Sequence, residues 1–101
     1  MGFTIRFTEE AREDLSRLYD WLLQRAEGDF TVAEYMLQVI RDGITVLELA
    51  PMNCRRAMPP DPFLRELVVG LGVGGCVLLS EVEDSRTTTV LAVRRQREGD
   101  Y

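Results

Sequence analysis

The chain has 101 residues, 46% of them hydrophobic and 29% charged, which is enough for one compact domain over residues 1–101 and too little for two. It carries a formal net charge of -5, contains no His, and all 12 of its basic residues are Arg. That excludes serine triads, HExxH zinc sites, lysine Schiff bases and P-loop lysines, and leaves chemistry to Arg, carboxylate, Tyr and Cys.

Phe3, Ile5 and Phe7 share one face with Thr4 and Arg6 on the other, the period of a short half-buried strand. Thr8 is placed to cap a helix that starts at once, with Glu9 and Glu10 where the helix dipole favours negative charge. In that helix Ala11, Leu15, Leu18, Tyr19, Leu22 and Ala26 recur at helical spacing, and Trp21 and Leu23 sit on opposite shoulders of the stripe. Gly28-Asp29 ends it, and Thr31 with Glu34 has the form of a capping box, with Phe30 and Tyr35 as its hydrophobic staple. The second helix runs to about Ala50, before Pro51, with Met36, Val39, Ile40, Gly43, Leu47 and Ala50 along its centre. Val32, Ala33, Leu37, Ile44 and Val46 widen its apolar arc to about twice the usual ~100° stripe, so it should touch two partners, the first helix and a sheet. Gly43 in mid-helix marks a close approach of backbones. Arg41, Asp42 and Glu48 interrupt any membrane-spanning reading of this segment.

Residues 51–62 read as an irregular Pro-bearing connection. Three strands follow, over 64–69, 76–83 and 87–95, joined by a glycine-rich link and by Asp84-Ser85-Arg86 as an antiparallel meander. The order β-α-α-β-β-β predicts an α+β fold, with a two-helix antiparallel hairpin packed on one face of a small four-stranded antiparallel sheet.

Several features point to chemistry only superficially. Residues 70–75 contain GxGxxG, but the next segment is a strand rather than the helix N-terminus a dinucleotide site needs, so a hairpin is expected. Cys54 and Cys76 lack CxxC spacing and neighbouring ligands, which predicts buried free thiols, no metal site and no cofactor. The N-terminal residues alternate instead of offering a basic segment followed by an apolar run, and a cytoplasmic location without membrane attachment is expected. Residues 1–50 hold five Arg against ten acids and residues 51–101 seven against seven, so the negative charge lies in the first half. A chain with this balance is not expected to bind nucleic acid sequence-specifically.

Two features remain. Arg65 and Glu66 point to opposite faces of an otherwise apolar strand, so Arg65 is either an edge charge or an anchoring or functional residue. Arg94, Arg95 and Arg97 crowd the end of the last strand, either as a solvated tail or as a patch of planar cations that grips carboxylates, phosphates or a protein partner.

These elements resemble the ParE/RelE superfamily of toxins from bacterial type II toxin-antitoxin modules, and most of all its ParE branch. The resemblance lies in FTEEAREDL at 7–15 with Leu18, Tyr19 and Asp20, in IRDGI at 40–44 with Leu47 and Pro51, in PFLREL at 62–67, and in AVRRQREGDY at 92–101. It implies the same helical hairpin on a sheet, a noncatalytic toxin that poisons DNA gyrase and blocks replication, and a cognate ParD-like antitoxin that holds it inactive. Relatives often carry His where this chain has Arg95, so imidazole chemistry at that position is absent here.

The RelE-like branch instead cuts messenger RNA on the ribosome, a role in which Arg65, Arg94 and Tyr101 would be cast. An always-protonated guanidinium is a poor base, and a net charge of -5 suits ribosome docking badly, so the gyrase poison is the favoured reading. A third alternative is a non-toxic interaction module. Candidate target-binding residues are Arg65, Arg94, Arg95, Arg97 and Tyr101. Trp21 and Leu23 are candidates to line an apolar groove for an amphipathic antitoxin segment.

Overall fold

A computed structural model of the protein describes residues 2–25, 27, 29–58, 61–70 and 75–96. Strand β1 (Thr4–Phe7) leads into helix α1 (Glu9–Arg25), which is followed by α2 (Phe30–Leu49), a 3-10 turn over Pro51–Asn53, and strands β2 (Arg55–Met58), β3 (Asp61–Gly70), β4 (Gly75–Val82) and β5 (Thr87–Gln96). The sheet order is β1-β5-β4-β3-β2. The expected α+β architecture is therefore present, with a fifth strand and one parallel pair that the sequence did not announce.

Both helices start on side-chain caps. Thr8 Oγ1 accepts from Ala11 N–H at 3.0 Å, as its position before Glu9 and Glu10 predicts. At α2 the cap is Asp29, whose Oδ1 accepts from Thr31 N–H at 2.9 Å and Val32 N–H at 3.4 Å. The capping box at Thr31 and Glu34 is thus corrected: the helix begins two residues earlier, and Phe30 and Tyr35, 67% and 72% exposed, form no staple.

The core is one cluster in which Ala11, Leu18 and Leu22 of α1 and Met36, Ile40 and Leu47 of α2 meet Val69, Cys76, Leu78, Val90 and Val93 of the sheet. Gly43 sits where α2 crosses it. A Cβ built there would lie 2.9 Å from Val69 Cγ2 and 3.4 Å from Leu67 Cδ2, so the glycine permits the close approach of helix and sheet. The apolar arc of α2 is wider than its partners cover, since Val46 and Leu49 remain exposed.

Within the sheet, β3 pairs with β4 and β4 with β5 in antiparallel register, including Leu67↔Leu78 and Leu78↔Val93. Gly70 lies opposite Gly75, so the glycine-rich motif joins two paired strands, and its residues 71–74 fall outside the described residues. β1 runs parallel to β5, from Thr4↔Thr87 to Phe7↔Val90, a direction that period-two alternation does not encode. β2 lies within the connection read as irregular. It pairs with β3 at Arg55↔Glu66 and Arg56↔Arg65, and an Arg55 Nε to Glu66 Oε1 ion pair of 3.3 Å reinforces it. Its two exposed arginines are the kind of charge that blunts an edge strand. Among the described residues, no helix is long and apolar enough to cross a membrane.

Candidate functional site

Among the described residues, β5 has a strand neighbour on its outer side only as far as Val90, because β1 stops at Phe7. Beyond that point α1 supplies the missing partners. Thr8 N–H donates to Val90 O at 3.1 Å, and Thr8 Oγ1 donates to Leu91 O at 3.0 Å. Six residues after this cap, nearly two turns along the helix, Asp14 Oδ2 accepts from Val93 N–H at 3.0 Å. Asp14 Oδ1 takes the guanidinium of Arg17.

Asp14, Leu18, Trp21 and Arg25 recur along one face of α1 at steps of four, three and four, with Arg17 beside them. That face meets the end of β5 in a cleft of about 280 Å³ lined by Asp14, Arg17, Leu18, Trp21, Val93 and Arg95. The Arg95 guanidinium carbon lies 4.5 Å from the centroid of the Trp21 ring and that of Arg25 lies 5.6 Å from it. Contacts of this kind contribute about 0.5–1 kcal/mol at exposed sites, more when desolvated. Leu18 and Val93 give the cleft an apolar floor, and its rim is cationic.

The structure thus unites two residues that the sequence placed in different roles. Trp21 is half-buried and stacked, and Arg95 is exposed at its other edge. Arg94, opposite Val77, is exposed on the other face of the sheet, so neighbouring guanidiniums leave the end of β5 in two directions. Leu23 is half-buried two positions from Trp21, about 200° around the helix, and does not share the cleft. Arg97 and Tyr101 lie outside the described residues.

Arg65 does not join this group. It is 8% exposed on the helix-covered face of β3, where Nε donates to Pro62 O at 2.7 Å and NH1 donates to Met52 O and Cys54 O, both at 2.9 Å. Its fork ties the 3-10 turn and the start of β2 to β3. Of the two options the sequence left open, edge charge or inward residue, the fold takes the second.

Cys54 and Cys76 are free and buried. Burial pushes the Cys76 thiol up to about 11, and it raises Cys54 as well, with Arg65 nearby partly opposing the shift. Both are protonated at neutral pH and are not nucleophiles. Among the described residues, no group of acids and thiols is arranged to hold a metal ion.

Asp14, Arg17 and Arg25 were not singled out from the sequence as site residues. The signal was their helical spacing from Trp21, which marks a shared face but not what that face meets.

The profile of the family described as ParE toxin of type II toxin-antitoxin system, parDE, matches residues 5–99. No curated protein matches the sequence. Among solved structures, the chromosomal ParDE toxin-antitoxin system from P. aeruginosa is similar with a TM-score of 0.70 and 18% identity, covering 94% of this chain and 97% of that one. A DinJ-YafQ complex from E. coli is similar at a TM-score of 0.45 and 11% identity, covering 92% of each chain. The first likeness shows the fold.

Proposed function

Because the chain belongs to the ParE toxin family of type II toxin-antitoxin systems, we propose that it poisons DNA gyrase in the cytoplasm through the arginine end of β5, without performing catalysis itself. The observation that carries this reading is the composition of the cleft. Among the described residues its cations are guanidiniums, which offer no acceptor for a proton, and its one lining carboxylate, Asp14, is engaged through both oxygens by Arg17 and the Val93 amide. Such a site binds and holds; it is poorly suited to abstracting a ribose proton, as a ribonuclease must.

In this reading Arg94 and Arg95, continued by Arg97 and Tyr101, form the target-binding surface. Planar forked cations suit the carboxylates of a protein and the phosphates of cleaved DNA held by it. Arg65 supports that surface from a distance by securing β2 and β3. A ParD-like antitoxin docks an amphipathic segment against α1 at Trp21, with Leu23 on the helix's other shoulder. Occupying Trp21 places the antitoxin beside Arg95, which accounts for neutralisation.

Expression without antitoxin tests the reading. Growth arrest relieved by the co-expressed antitoxin, with DNA synthesis stopping before protein synthesis, is the expected result. Arrest that begins with loss of translation and cleaved messenger RNA would move the chain to the ribonuclease reading, and harmless expression would leave an interaction module.

A further inference from the structure

We infer that Asp14 is a positioning residue for the arginine surface, its carboxylate taking over where β1 stops, at Val90. The inference rests on the reading of Arg94 and Arg95 as the toxic end of the molecule. β1 supports β5 only from Thr87 to Val90, yet the arginines lie four and five residues further on, at a sheet edge. Val93 immediately precedes them and is 5% exposed, so its outward N–H has little access to water and needs a protein acceptor. Asp14 Oδ2 is that acceptor at 3.0 Å.

The same carboxylate joins the two sides of the cleft. It fixes the backbone of β5 two residues before Arg95 to the face of α1 that carries Trp21 two turns later, and the Arg95 stack at 4.5 Å is built on that alignment. The Arg17 contact with Oδ1 is secondary, because the Arg17 side chain is 69% exposed and screened by solvent. A bond to a backbone amide needs an acceptor oxygen but not a charge. Asn can therefore replace Asp14 in this role, and Ala cannot.

The test compares Asp14→Ala, Asp14→Asn and a remote control, Asp29→Ala, which removes the α2 cap and so lowers stability away from the cleft. Amide hydrogen exchange is read at Val93, emission is read from Trp21, the only tryptophan, and growth arrest is read as the inducer level needed to stop cells. Asp14→Ala should speed Val93 exchange about tenfold or more, shift Trp21 emission, and raise the required inducer about tenfold. Asp14→Asn should return all three towards the wild-type values, and Asp29→Ala should leave Val93 exchange and growth arrest in place. Growth arrest by Asp14→Ala at wild-type inducer despite a freed Val93 amide would overturn the inference, as would an equal loss of arrest in Asp29→Ala. Growth arrest is scored independently of gyrase, so the gyrase reading can fail in its own assay while Asp14 is judged here.

Discussion

Replacing Arg65 by Met keeps most of the apolar stem of the side chain and removes the fork that three backbone carbonyls share. Those carbonyls are Pro62 O at 2.7 Å and Met52 O and Cys54 O at 2.9 Å, the last of the three bonds fully buried. A buried acceptor left without its donor costs roughly 1–3 kcal/mol, and bonds to a charged donor lie at the upper end of that range. Partial solvation of Pro62 O and Met52 O lowers their share, so Arg65→Met should destabilise the fold by about 3–5 kcal/mol, a large part of the ~5–15 kcal/mol typical of a domain. Arg65→Lys, with one ammonium in place of a planar fork, should lose about 2 kcal/mol. Urea unfolding followed by circular dichroism measures both, with amide exchange of Arg55 and Arg56 as the local reporter of β2. A Met variant that loses less than about 1 kcal/mol would refute the clamp. A Met variant of normal stability that no longer arrests growth would return Arg65 to the target surface.

Gly43→Ala gains about 1 kcal/mol of helix propensity but drives a methyl to 2.9 Å from Val69 Cγ2, a short, stiff and buried neighbour. Overpacking of this kind costs about 1–3 kcal/mol, so the melting temperature should fall, and a rise would show that the helix shifts freely on the sheet. The thiols of Cys54 and Cys76 should resist iodoacetamide at pH 8 in the native chain and react fully in denaturant; fast native labelling would contradict their burial. Cys76 is neutral when folded up to about pH 11, against 9.0 for the ordinary group, so the unfolded chain releases its proton first. Its contribution to stability is intact below about pH 9 and is lost as pH rises towards 11, visible as a falling urea midpoint that Cys76→Ala should make shallower, leaving the part due to Cys54. Trp21→Ala should weaken antitoxin binding more than it lowers the melting temperature, and unchanged affinity with a lowered melting temperature would remove Trp21 from that interface.

Most of the fold was legible because its elements follow strong periods. The apolar spacing of α1, the Thr8 cap, the stop at Pro51 and the last three strands all rest on local signals that the tertiary structure agrees with. Where local signals competed, reading failed: Asp29 and Thr31 are both good capping residues, and the backbone selects the earlier one. β2 has no apolar alternation to find. Its four residues pair because Arg65, thirteen residues beyond Met52, gathers the carbonyls just before them. The cleft was legible as residues and not as a place. Trp21 and Arg95 each stand out in the sequence for their own chemistry, but their meeting depends on how far β1 extends along β5, a register that no local pattern carries. Asp14 was hidden for the same reason, being 79 residues from the amide it holds.

The most direct measurement incubates the purified chain with gyrase, plasmid and ATP, traps covalent complexes with detergent, and compares it with a variant in which Arg94, Arg95 and Arg97 are all Ala. If the arginine end of β5 poisons gyrase, linear plasmid forms with the native chain, suppressed by antitoxin, and none forms with the triple variant, which should still fold and bind antitoxin. Linear plasmid from the triple variant at the native level, or none from the native chain with gyrase shown to be active, would contradict it.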